Sequence, residues 1–106
     1  MAADQSPHPR LFSLEGKTAV VTGGSRGIGA MIARGLLDAG ASVVISSRKQ
    51  SELDDARIAL SAFGDVHAIR ADVSTLEGVE KLAAEVAAHF PTLNILVNNA
   101  GATWGM

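Results

Sequence analysis

The chain has 106 residues, 47% of them hydrophobic, which suffices for one domain with a packed core. It contains no cysteine, so disulfides, thiolate metal sites and a thiol nucleophile are all excluded. The formal charge is −2 with basic residues dispersed, which argues against nucleic acid as a partner, and no apolar run approaches the roughly 20 residues that cross a bilayer.

Residues 1–10, MAADQSPHPR, hold no apolar segment of signal-peptide type and read as a disordered tail ahead of a domain over residues 11–106. A cytoplasmic location is expected. Leu11 to Gly16 forms a short lead-in, and Lys17 to Thr22 reads as a first strand in which Ala19, Val20 and Val21 run on without alternating. Such continuity predicts burial on both faces. From Gly27 to Ala39 the positions Ile28, Ile32, Leu36 and Ala39 recur at helical spacing with Gly35 on the same side, and Gly40 stands where a left-handed cap ends a helix.

Ser42 to Ser47 is the second strand, built on Val43, Val44 and Ile45. Ser51 is a candidate cap for a helix with Glu52 and Asp54 in its first turn, Leu53, Ala56 and Leu60 as its buried stripe, and Phe63 and Gly64 closing it. Val66 to Ala71 is the third strand. The helix from about Thr75 to Phe90 places Leu76, Val79, Leu82, Ala83, Val86 and Phe90 on one face, with Ser74 as the expected N-cap and Pro91 as the stop. Asn94 to Val97 is the fourth strand, leading into NNAG. The β-α-β-α-β-α-β order predicts an α/β fold, a Rossmann-type parallel sheet with helices on both faces.

In such a sheet a ligand lies beyond the carboxyl ends of the strands, where the winding direction reverses. The loops at Gly23–Gly29, Arg48, Asp72 and Asn99 all follow strand ends. The first reads TGGSRGIG, a T-G-x-x-x-G-x-G spacing: Gly23 for the sharp exit from the strand, Gly27 for close approach of main chain to a pyrophosphate, Gly29 for packing of the new helix. The helix start, including Ile28, supplies unpaired N–H donors and a partial positive charge to an anion. Ser25 and Arg26 add a hydroxyl and a cation.

About 20 residues past the glycines, an NAD site holds a carboxylate for the adenosine ribose hydroxyls. Ser46, Ser47 and Arg48 occupy that position here. A carboxylate would repel a 2′-phosphate, whereas Ser47 and Arg48 bond and pair with one, and Arg26 closes over the same group. NADP(H) is therefore expected over NAD(H). No metal is expected, because His8, His67 and His89 lack partners at ligand spacing. Asp54 and Asp55 point about 100° apart on a helix, which makes them surface residues and not an acid/base pair.

TGGSRGIG, Asp72-Val73 and the NNAG of Asn98 to Gly101 together resemble the short-chain dehydrogenases/reductases over nearly the whole chain. FSLEGK, GLLDAGASVV and NNAGATWG are most similar to the 3-oxoacyl-acyl-carrier-protein reductase branch, including reductases linked to rhamnolipid or polyester precursors. The resemblance implies that Asp72 and the Val73 N–H hold the adenine, that Asn99, Ala100 and Gly101 border the adenosine ribose, and that Trp104 lies beside the nicotinamide pocket. It also implies a small-molecule carbonyl substrate and, in full-length members, a homotetramer. The family's catalytic Ser and Tyr-x-x-x-Lys fall in the second half of a chain of roughly 250 residues, and this sequence contains no tyrosine and stops at Met106 after the fourth strand. The expectation is thus the cofactor half of an NADPH-dependent carbonyl reductase, with no catalytic residue of its own and the fourth strand left as an edge. A non-catalytic NADP(H)-binding module is the alternative. An extended relative acting on nucleotide sugars fits less well, because its T-G-x-x-G-x-x-G spacing does not match Gly23, Gly27 and Gly29.

Overall fold

The computed structural model describes residues 13–99. The N-terminal tail, Leu11, Ala100, Gly101 and Trp104 lie outside them. Four parallel strands, β1 (Thr18–Thr22), β2 (Ser42–Ser47), β3 (Val66–Arg70) and β4 (Ile95–Asn98), stand in the order β3-β2-β1-β4. Between them run α1 (Gly27–Asp38), α2 (Gln50–Leu60), continued by a 3-10 turn at Ser61–Phe63, and α3 (Leu76–His89). The winding goes outward from β1 through β2 to β3 and then reverses to place β4 on the other side of β1. The reversal point lies between β1 and β4.

Side chains alternate across a strand, so the continuous apolar runs of β1 and β2 feed two cores at once. Ala19, Val21, Val43 and Ile45 pack with Ala33 and Leu37 of α1 and with Leu53, Ala56 and Leu60 of α2. Val20 and Val44 face the opposite way, with Leu82 and Val86 of α3. Helices thus cover both faces, as the element order predicts. Ile45 and Leu53 are fully buried, and each contributes about 1.5–3 kcal/mol by leaving water.

The strands lie within a residue of their expected bounds: β1 begins at Thr18, β3 ends at Arg70, and β4 is shifted by one to Ile95–Asn98. The pin for β4 is Asn94, whose Oδ1 accepts from the Thr18 N–H at 2.9 Å while its own N–H donates to the Thr18 carbonyl. β4 is an edge of the described sheet. Its Leu96, in register with Val20, is 62% exposed.

Four expectations about the helices need correction. The buried stripe of α1 is Gly29, Ala33 and Leu37, one position round from the expected face; Ile28 is 68% exposed, Gly35 is exposed, and Ile32 and Leu36 only flank the core. Small residues let the helix axis come close to the sheet, and that closeness outweighs the burial of Ile28. In α2 the N-cap is Lys49, with no side-chain cap bond, and Ser51 lies inside the helix. In α3 the cap is Thr75, whose Oγ1 accepts from the Gly78 N–H at 3.0 Å, because Ser74 is already committed to Asp72. Only Leu82 and Val86 of its apolar face are buried, with Phe90 packed beside them, while Leu76, Val79 and Ala83 are exposed. The helix C-termini agree with expectation: Gly40, at φ +105°, follows α1, and α3 ends at His89, just before Pro91.

Candidate functional site

The carboxyl ends of all four strands open onto one cleft of about 770 Å³. Gly23, Ser25, Arg26 and Gly27 line it from the loop after β1; Ser47, Arg48 and Lys49 from the loop after β2; Asp72, Val73 and Ser74 from the loop after β3; and Asn98 and Asn99 from the end of β4. Four sequence-distant segments are brought together as expected. Ile28 and Gly29, in the first turn of α1, are not among the residues that line it.

The loop after β1 is held by its neighbours. The Gly23 and Gly24 N–H groups both donate to the Ser46 carbonyl, at 2.9 and 3.3 Å, which ties the exit of β1 to the end of β2. Gly27 adopts φ +60°, and the space where its Cβ would stand is empty to beyond 4 Å. Gly27 is itself one of the residues that line the cleft. Gly29 is the opposite case: a Cβ there would collide with the Gly23 carbonyl oxygen and approach Asn99 Nδ2 to 2.7 Å. The constraint on Gly29 is therefore the loop and the β4 end, and not the sheet behind the helix.

The start of α1 is open to an anion. Its N-cap, Arg26, is extended at φ −163° and makes no side-chain cap bond, and no acidic residue stands in the first turn. The leading N–H groups of a helix have no partner within it and carry about half a positive charge between them. In α3, by contrast, Thr75 Oγ1 accepts from the Gly78 N–H and Glu77 stands in the first turn. An uncapped start lining a cleft is what a phosphate group requires.

The other two loops are likewise braced. Lys49 N–H donates to Ser47 Oγ at 3.3 Å, and Arg70 Nε donates to the Arg48 carbonyl at 3.1 Å, fixing the backbone while the Arg48 side chain stays exposed. Ser74 donates twice to Asp72 Oδ1, from its N–H at 3.0 Å and its hydroxyl at 2.6 Å. Those bonds outweigh an opposing cost of desolvation and, with lesser help from the Arg48 and Arg70 charges, hold the Asp72 carboxyl below its ordinary value of 3.8. A group whose folded pKa is depressed adds stability above its unfolded pKa, and that contribution is lost as pH falls through the folded value. Ser74→Ala is expected to return the Asp72 pKa towards 3.8, read by NMR titration of the carboxyl carbon. A pKa that does not move would place its cause elsewhere.

Residues that sequence reasoning missed are mostly braces and counter-charges. Thr22 is buried at the end of β1; its hydroxyl donates towards the Val97 carbonyl and Asn98 Oδ1 and accepts from the Asn99 N–H at 2.9 Å, which seats Asn98 and Asn99. Glu52 also lines the cleft, with Oε2 3.9 Å from Arg26 Nη1 and 3.7 Å from Lys49 Nζ. The i,i+3 spacing of Lys49 and Glu52 was the readable signal for the second of these contacts.

Residues 17–106 match the family described as short chain dehydrogenase. The chain belongs to the short-chain dehydrogenase family. Among similar proteins of this family is the rhamnolipid-biosynthesis 3-oxoacyl-acyl-carrier-protein reductase of Pseudomonas aeruginosa, 53% identical over 98 residues, which cover 92% of this chain and 38% of the relative. Gluconate 5-dehydrogenase of Gluconobacter oxydans is 43% identical over 89% of this chain and 37% of its own length. Of solved structures, the Pseudomonas aeruginosa RhlG/NADP complex superposes with a TM-score of 0.84 at 53% identity, covering 90% of this chain and 38% of that one. L-sorbose reductase of Gluconobacter frateurii, solved with NADPH and L-sorbose, gives 0.81 at 40% identity over 86% and 35%. The chain thus spans well under half the length of these short-chain dehydrogenases.

Proposed function

We propose that residues 11–106 form part of the dinucleotide-binding domain of an NADPH-dependent carbonyl reductase, acting on a 3-oxoacyl thioester or similar ketone in the cytoplasm. The observation that carries the reading is the meeting of an uncapped helix start with the Ser47-Arg48 corner on a single cleft. Both NADP and NADPH occur in the complexes of similar proteins. The open side of Gly27 is room that a Cβ would fill, and the residues present fit the nucleotide.

In this assignment the amides at the start of α1 and the loop from Gly23 to Gly29, with the Ser25 hydroxyl, hold the diphosphate. Ser47, Arg48 and Arg26 hold the 2′-phosphate. Asp72, its Oδ1 engaged by Ser74, and the Val73 N–H would hold the adenine. Asn99, seated by Thr22, borders the adenosine ribose, with Ala100 and Gly101 in the continuing segment. When bound, the nucleotide supplies a hydride to the carbonyl carbon. The 106 residues contain no tyrosine, so the phenol that would protonate the carbonyl oxygen in this family is not among them.

The alternative reading is a module that holds NADP(H) without turnover. The two are separated by binding and consumption measured on the same material. The 106-residue chain is expected to bind NADPH at least about tenfold more tightly than NADH, one charge-assisted contact's worth, and to leave NADPH unconsumed with a 3-oxoacyl thioester. Consumption by this chain alone would overturn the assignment of the proton donor. Equal affinity for the two nucleotides would overturn the 2′-phosphate site.

A further inference from the structure

Glu52 stands in the cleft with the wrong sign for the ligand proposed above. Its carboxylate is one-third exposed and gathers two cations from separate elements, Arg26 from the loop before α1 and Lys49 from the cap of α2. The i,i+3 pair with Glu52 returns Lys49 only a few tenths of a kcal/mol of helix stability, roughly 0.2–0.5. A cation at a helix start opposes the dipole, and Ser, Thr, Asp or Asn is the stabilising choice at that position. Lys49, Arg26 and Glu52 all line the cleft, where an anionic ligand can reach both cations. Arg48, by contrast, makes no ion pair among the described residues, and its backbone is fixed by Arg70.

Both Glu52 pairs are long and exposed, with Arg26 78% and Lys49 62% accessible. Such pairs contribute little and exchange readily. A phosphate dianion offers more acceptor oxygens and more charge than one carboxylate, so it takes the same cations by competition. We infer that Glu52 is a specificity-determining residue: it gathers Arg26 and Lys49 while the site is empty and yields them to the 2′-phosphate of NADP(H). Its charge therefore sets the margin by which the phosphorylated nucleotide is preferred. The inference rests on the NADP(H) reading and deepens it.

The test is titration of the 106-residue chain with NADPH and with NADH, as wild type and as Glu52→Gln, at low and high salt. Removing one unit charge near a dianion in a largely solvated site is expected to tighten NADPH about three- to tenfold and to change NADH less than about twofold. High salt should erase the gain. Arg26→Gln with Lys49→Gln should weaken NADPH and shrink the response to Glu52→Gln, since the cations that it holds are gone. A wild-type chain that prefers NADPH, with a ratio unmoved by Glu52→Gln, would leave Glu52 only its part in the first turn of α2 and overturn this inference alone. A wild-type chain that binds neither nucleotide overturns the inference together with the reading beneath it.

Discussion

Gly29→Ala is expected to lower the melting temperature by about 10 °C or more and to weaken NADPH binding at least about a hundredfold. The added Cβ meets the Gly23 carbonyl oxygen, a main-chain atom that cannot swing aside, and Asn99 Nδ2 beside it. Gly23 itself is tied through its N–H to the Ser46 carbonyl, so the loop cannot yield without loosening the joint between β1 and β2. Overpacking of this kind costs about 1–3 kcal/mol. Binding suffers more than stability, because a shift of the loop misdirects several charge-assisted donors at once, each contributing about 1.5–3 kcal/mol. Gly35→Ala supplies the contrast. It lies in the same helix with nothing within 4 Å of the added Cβ, and the change is expected to stabilise by about 0.5–1 kcal/mol and leave binding alone. Equal melting temperatures for the two variants would remove the steric argument.

Arg48→Asp is expected to invert nucleotide preference, with NADPH weakened about a hundredfold or more and NADH unchanged or tightened. The side chain faces the cleft from the β2 corner, and loss of a charge-assisted pair is compounded by repulsion between two anions. An aspartate at that point also offers the acceptor that the ribose hydroxyls of NADH need. The backbone should stay in place, because Arg70 holds the Arg48 carbonyl and not its side chain. The ratio of the two dissociation constants checks this, and an unchanged ratio would withdraw the 2′-phosphate from this corner.

The order of elements, the parallel sheet and the convergence of its loops were legible because their signals are local. A continuous apolar run such as Ala19–Val21, glycine at a strand exit, and the Gly40 stop each report on a few neighbouring residues. What escaped depends on partners distant in the chain. The face that α1 buries is decided by how near its axis can come to the sheet, so small Gly29 and Ala33 outrank Ile28, and no periodicity count weighs that. Ser74 and Thr75 are equally good caps by type. Asp72 claims Ser74, and Thr75 is left to cap. Thr22 looks like the last residue of an apolar strand, yet its hydroxyl bridges to residues more than seventy positions away. Glu52 was read as a helix-start acid, and only the fold brings Arg26 across to it.

In the function proposed above, these loops serve one physical end, the presentation of main-chain donors at the uncapped start of α1 to a diphosphate. Amide chemical-shift mapping of the chain during NADPH titration tests that most directly, because it observes the N–H groups themselves. The account predicts the largest changes at Ser25 to Gly29, with further changes at Ser47, Arg48 and Val73, and with shifts at the start of α3, already capped by Thr75, staying small. Changes confined to other faces of the sheet, or none at saturating nucleotide, would contradict it.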